Sequence, residues 1–316
     1  MMYAGRIGST FPLPCDQPFT LRTALEAGIT RRDLETLVRE CLLRRPIKGV
    51  YLPTHLGDSL ALRVACLKLV VPEDCVVVDR HAGWLLGAQM VLAPNEHLEL
   101  RPLSLFRPSG HGRLRNSLSN SGERNLTGDE VTVVDGLQVT TPLRTTWDLG
   151  RVRWPDQSIS GVDAMLRLGV FTPEEFLDGI ERFRRMRWIT TLRAIGPLAD
   201  GRSESPGESV LRLRCIEANV PVVPQLVVLR GSRFVARLDL GNEALMLGIE
   251  YDGVEWHSSP QQRADDRARR AELTEDEWVI RALRCEDVFG HARDCDRIIR
   301  VAAREARARH GGRPHL

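Results

Sequence analysis

The sequence predicts a mixed α+β protein of more than one domain, and three observations carry that reading. At 316 residues the chain is longer than a single hydrophobic core usually organises. Helical and strand-like periodicities alternate in blocks along it. Near residue 200 the run GPLADGRSESPG clusters Gly, Pro and Ser as a linker does. Apolar residues at 42% and charged residues at 27% are ordinary globular usage and exclude a disordered chain. Forty-four basic against 42 acidic side chains leave a formal charge of +2, which argues against a polybasic role for the whole chain but leaves local patches open. Nearly all the basic charge is arginine, Lys48 and Lys68 being the two lysines. No apolar run reaches the roughly 20 residues of a membrane span. The opening MMYAGRIGSTFPLP lacks the layout of a secretory signal. Seven cysteines without regular spacing fit a reducing compartment. A cytoplasmic protein with no membrane partner is therefore expected.

Residues 1–18, with their Gly and Pro, read as an N-terminal extension. A small domain follows over 19–54. Thr20 can cap a helix through LRTALEAGI that Gly28 stops. Thr30 caps a second, RRDLETLVREC, with Leu34, Leu37, Val38 and Cys41 on one face. RRPIKGVYLP then alternates like a hairpin around Gly49.

The middle domain, 55–195, mixes both classes. SLALRVACLKLV and HAGWLLGAQM have helical spacing; CVVVD and HLELRPL read as strands. A polar loop runs from Arg107 to Asn120. EVTVVDGLQVTTP is a hairpin turning on Asp135–Gly136. Thr145 can cap a helix carrying Asp148, and Trp84, Leu85, Leu86, Trp147 and Leu149 are candidate core. Arg144 has two readings: pairing with Asp148 one helical turn on, or facing nucleic acid or a partner. After the linker at 196–206, the last domain covers 207–310 in the order α-β-β-β-α-β-α. That order predicts a small α/β domain with a mixed sheet of about four strands.

The chemistry concentrates in that domain. Asp239 lies in RFVARLDLG, and Glu250 and Asp252 lie in LMLGIEYDG, where alternation puts the latter two on one face and Tyr251 on the other. Carboxylates gathered at strand ends repel unless a hard cation neutralises them, and magnesium, which takes oxygen ligands, suits that task. Such an ion can clamp a phosphodiester and acidify a bound water. The bland alternative is acids that end two strands in solvent. Cys285, His291 and Cys295 match no standard zinc spacing. Trp256 reads as core or as a base-stacking residue. Asp266 with Arg270 reads as a surface ion pair, and Arg267 and Arg269 as a solvated face or as contacts to DNA phosphate.

These motifs resemble the PD-(D/E)XK nuclease superfamily, in the branch similar to the very-short-patch-repair endonuclease. SPGESVLRL supplies Glu208, RLDLG supplies Asp239, IEYDG supplies Glu250 and Asp252, and EWH supplies His257. DDRARRAEL with Asp266 and Arg269, then EWVIRALR with Trp278, complete about 110 residues in the family's order. The resemblance implies a restriction-endonuclease-like fold in which Asp239 and Glu250 hold Mg²⁺ or Mn²⁺. Glu208 would assist from the outer shell, and His257 would handle the proton of the attacking water or donate to phosphate. Two positions depart from the pattern. The lysine of the wider superfamily is Asp252 here, as it commonly is in the branch, and the glycine before Trp278 is Glu277.

The segment at 20–50 resembles the N-terminal winged helix of AbiEi-type antitoxins, and DRHAGWLLG with VTTPLRTTWDLGR resembles that family's second domain. The resemblance implies that Arg31 and Arg32, opening the second helix, meet the major groove or flanking phosphates, and that Arg44, Arg45 and Lys48 lie on or beside the wing. Seven basic against four acidic residues between 20 and 50 is a modest excess. Together the readings imply a DNA partner and a magnesium-dependent endonuclease positioned by a winged helix. The rival is a non-catalytic DNA-binding repressor or antitoxin, with a cognate toxin as a further partner.

Overall fold

Two threonines start the first two helices, because each hydroxyl can satisfy an amide that the helix leaves unpaired. In the computed structural model, which describes residues 11–88, 102–253, 272–273, 275–289 and 294–310, the Thr20 hydroxyl accepts from the Thr23 amide at 3.1 Å and opens α1 (Leu21–Glu26). Gly28, at φ +83°, turns the chain out of it. Thr30 and Asp33 form a reciprocal capping box at the start of α2 (Arg31–Arg39), and the Thr30 contacts hold the Asp33 carboxyl below its usual pKa. Leu34 and Leu37 are buried, and Val38 packs against the same cluster. Cys41 does not share that face: it lies past the helix end at φ 56° and is exposed. β1 (Phe19–Thr20), β2 (Leu43–Ile47) and β3 (Val50–Pro53) form an antiparallel sheet in the order β1-β3-β2, with Gly49 at φ +87° between β2 and β3.

A second sheet follows in the same part of the chain. Its strands are β4 (Val76–Val77), β5 (Leu103–Pro108), β6 (Ser119–Arg124), β7 (Val131–Val134) and β8 (Leu137–Thr140), ordered β6-β5-β4-β8-β7. α3 (Leu60–Lys68), capped by Ser59, and α4 (Asp79–Leu85) pack with it around Trp84, Leu85, Leu103 and Val139. CVVVD contributes only a two-residue strand, and most of HLELRPL lies outside the described residues. The expected loop from Arg107 to Asn120 is shorter at both ends, since β5 enters it and β6 leaves it in parallel with β5. SNSGER has no apolar alternation to reveal it. The Asp135–Gly136 turn has φ of 45° and 83°, as a tight hairpin requires. α5 (Pro142–Gly150) begins earlier than expected, so Thr145 sits inside it and bonds Thr140 instead of capping.

The chain divides into two compact units, Met1–Leu149 and Gly150–Leu316. That division is not in the 196–206 stretch. α6 (Pro155–Leu166), α7 (Pro173–Asp178) and α8 (Ile189–Ile195) belong with α9 (Pro206–Glu217): Ile159 and Ile195 share one cluster with Val210, Leu211 and Leu213. The polar residues of the stretch are tied down as well. Asp163, fully buried, pairs with Arg212 at 2.7 Å and accepts from the Asp200 amide at 2.8 Å. Burial, the larger influence, nevertheless raises the Asp163 pKa.

β9 (Val223–Arg230), β10 (Arg233–Asn242), β11 (Leu247–Asp252) and β12 (Val279–Arg284) form a four-stranded sheet in the order β12-β11-β10-β9. β11 and β12 are parallel and the other pairs antiparallel, so the sheet is mixed as expected. α10 (Cys285–Val288) and α11 (Cys295–His310) follow, and α9 and α11 bury their apolar faces against Leu240, Leu247 and Ile249. No helix among the described residues is long and apolar enough to cross a membrane.

Candidate functional site

The first turn of α9 is set by its sequence. The Ser205 hydroxyl accepts from the Glu208 amide at 3.2 Å, Pro206 occupies the first turn, and Gly207 lets the helix approach β11. A Cβ at Gly207 would overlap the Tyr251 ring, so only glycine fits there. Glu208 is thereby buried to 8% exposure, and one carboxylate oxygen accepts from the Glu204 amide and from the Gln225 side-chain amide, both at 2.8 Å. Gln225 lies in β9 with φ 54°. No strand periodicity singles it out, because a left-handed residue breaks the alternation on which such a reading rests.

Leu240 and Ile249 are register partners, so Asp239 and Glu250 stand next in line on β10 and β11. Glu250 is 6% exposed, and Asp239 is half-buried with its Oδ2 accepting from the Tyr251 amide at 2.9 Å. Asp252 ends β11 in the open, with its carboxylate 3.9 Å from the Arg284 guanidinium of β12. Tyr251 takes the other direction, as alternation requires: it packs in the helix-covered cluster and meets Phe289 edge-on at 6.3 Å. Burial foremost pushes its phenol up to about 12. Asp239 and Glu250 are thus neighbours, Glu208 is anchored by Gln225, and Asp252 stands at the rim. Among the described residues no group of three or more His, Cys, Asp or Glu side chains is placed to hold a metal ion.

His257, Trp256, Asp266, Arg267, Arg269 and Arg270 lie outside the described residues, as does His291. Cys285 is exposed and Cys295 buried. Trp278 is buried, and Glu277 before it adopts φ 65°, the conformation for which a glycine would be the easier residue.

In the first unit, Arg31 and Arg32 are exposed on the opening turn of α2, while Arg44, Arg45 and Lys48 are half-buried. Arg44 donates to the Leu56 carbonyl at 2.8 Å, which gives it a local structural task. Arg144 resolves to its pairing alternative: it is buried and its Nε donates to Asp148 at 2.9 Å, with Glu130 as a second partner. Sequence reasoning missed Arg124, which joins the same Asp148 to Asp79 at 2.8 and 2.7 Å and lies over the Phe106 ring at 4.2 Å. The two carboxylates raise its pKa against the larger, lowering effect of burial.

No family model matches the chain. Two proteins of Mycobacterium tuberculosis are similar to it: the uncharacterized protein MT2308 of strain CDC 1551 / Oshkosh and the uncharacterized protein Rv2248 of strain ATCC 25618 / H37Rv. Each is 30% identical over 261 residues, a stretch that covers 82% of this chain and 92% of the relative.

Proposed function

We propose for this chain, which belongs to the same family as the two mycobacterial proteins, metal-dependent endonucleolytic hydrolysis of DNA phosphodiester bonds. The observation that carries this reading is the adjacency of Asp239 and Glu250 on neighbouring strands; Glu208 is fixed separately, by the capped first turn of α9 and by Gln225 of β9. The resemblance to the very-short-patch-repair-like branch of PD-(D/E)XK nucleases supplies the reaction. Asp239 and Glu250 offer hard oxygen donors of the kind Mg²⁺ or Mn²⁺ prefers, and Mg²⁺ commonly needs only one or two carboxylates because it keeps several waters. When bound, such an ion would stabilise charge on the phosphate and acidify a water. The chain's own residues do the rest. The Tyr251 amide orients Asp239, and Gln225 with the Glu204 amide fixes Glu208 as an outer-shell acceptor. His257 would take the proton of the attacking water, a task suited to imidazole as a side-chain type.

In this reading the first unit supplies DNA contact. Arg31 and Arg32 open a helix followed by a hairpin, the arrangement in which a winged helix meets the groove. Arg45, Lys48 and, outside the described residues, Arg267 and Arg269 would add phosphate contacts. The test is plasmid nicking with Mg²⁺ or Mn²⁺ against EDTA. Wild type should cut, Glu250→Gln should lose cutting while keeping its fold and duplex binding, and His257→Ala should slow it by roughly 10²–10⁴-fold. A Glu250→Gln protein that cuts at the wild-type rate overturns the mechanism.

One observation favours a second reading, a DNA-binding repressor or antitoxin with a cognate toxin as partner. Asp239 and Glu208 both accept hydrogen bonds from backbone amides of their own fold, as carboxylates with a purely structural task do. Absence of cleavage of every DNA tested, with duplex binding intact, would make that the better reading.

A further inference from the structure

The second unit carries a short motif twice, at places that have no part in the carboxylate site. Residues 151–154 read RVRW and residues 185–188 read RMRW. Neither lies inside a long helix: the first precedes α6, and the second precedes α8 with Arg185 and Trp188 at φ 67° and 64°. In each copy the last arginine covers its tryptophan. The Arg153 guanidinium lies 4.5 Å from the Trp154 ring centre and that of Arg187 lies 4.9 Å from Trp188. Arg151 joins the copies, donating to the Arg187 carbonyl at 3.4 Å while its guanidinium lies 4.8 Å from the Phe183 ring.

The resulting patch is basic and aromatic together. Arg153, Arg184, Arg185, Met186 and Arg187 are exposed, and Trp154 is 54% exposed. No acidic residue occurs between 182 and 199. Two acids that flank the motifs in sequence are engaged: Glu181 is held by Arg193 at 2.6 and 2.8 Å, and Asp156 pairs with Arg214 at 2.5 Å. An exposed tryptophan beside exposed guanidinium groups suits a ligand that is both anionic and flat-faced.

We propose that this double Arg–Trp patch binds single-stranded DNA, the guanidinium groups meeting phosphates and Trp154 stacking on an unpaired base. The inference rests on the nucleic-acid partner of the proposed function and not on cleavage. An anionic lipid surface is the less suitable partner, because interfacial binding uses a continuous apolar helix face and these segments are turns.

The test uses the full-length protein in EDTA, with fluorescence anisotropy of a labelled single-stranded oligonucleotide over a range of salt concentrations. Arg184→Glu with Arg185→Glu should weaken binding by at least about tenfold and lower the salt slope by about 1.4, two phosphate contacts on a single strand. Trp154→Ala should weaken binding by roughly 5- to 150-fold while leaving the slope unchanged, and Trp154→Phe should restore much of the loss. Melting curves matching wild type establish that each variant folds; where Trp154→Ala melts early, the Trp154→Phe comparison and the arginine variant decide. Wild-type affinity and slope in the arginine variant overturn the proposal. So does a loss confined to phosphatidylglycerol vesicles. Glu250→Gln should bind the oligonucleotide as wild type does, so a failed cleavage mechanism and a failed patch give different results.

Discussion

His81 shows how one residue can set a pH limit on a fold. It is half-buried, its Nδ1 accepts from the Ser104 amide at 3.2 Å, and that bond requires an unprotonated Nδ1. Burial foremost, with Arg80 second, pushes its pKa down to about 4. The unfolded chain would take up the proton near the ordinary histidine value of about 6.5. Below that pH the unfolded state binds more protons than the folded one, so stability falls as pH drops and levels off once the folded residue also titrates. The shift corresponds to up to about 3 kcal/mol, less what the ring's partial exposure returns. Urea midpoints measured from pH 7 to pH 4 should therefore decline, and His81→Asn should flatten that decline. A wild-type midpoint that holds steady over this range would mean His81 is not the limiting group.

The junction of α9 with β11 is where local sequence and site geometry meet. Ser205 and Pro206 start the helix, Gly207 lets it touch Tyr251, and Glu208 then faces Gln225. Gly207→Ala improves helix propensity by up to about 1 kcal/mol, yet it drives a methyl group into an aromatic ring. The clash should win, because overpacking a tight contact costs about 1–3 kcal/mol. A lower denaturation midpoint, with an unchanged denaturant slope, is the expected result. Should the variant cut DNA normally while melting early, Glu208 tolerates displacement and its part in cleavage is small.

Over the whole molecule, each of the two units has a proposed nucleic-acid role of its own: duplex contact through α2 in the first, and cleavage with strand binding in the second. Arg31→Ala with Arg32→Ala should weaken duplex binding and lower the salt slope by about 1.8, two contacts at B-DNA charge density. Equal affinity and slope in the double variant would reduce α1 and α2 to a structural cap.

What the residues alone determine follows short-range rules. The capped starts of α1 and α2 and the Asp135–Gly136 hairpin depend on neighbours within a few positions, and each is present in the fold, as are the four strands of the last domain, although the parallel pairing of β11 with β12 joins Leu247 to Val279 across 32 positions. The pairing of Asp239 with Glu250 was legible too, because two strands joined by a connection as short as 243–246 leave few registers. Tertiary structure alone decided the rest. It made GPLADGRSESPG part of a packed unit, since Asp163 lies 37 positions from its Asp200 partner and 49 from Arg212, separations that no local pattern encodes. It buried Arg144 and recruited Arg124 because a charge can be buried only where distant chain segments bring it compensating partners. It also brought RVRW and RMRW into contact through Arg151 and Arg187, 36 positions apart, joining two unremarkable surface turns into one basic aromatic patch.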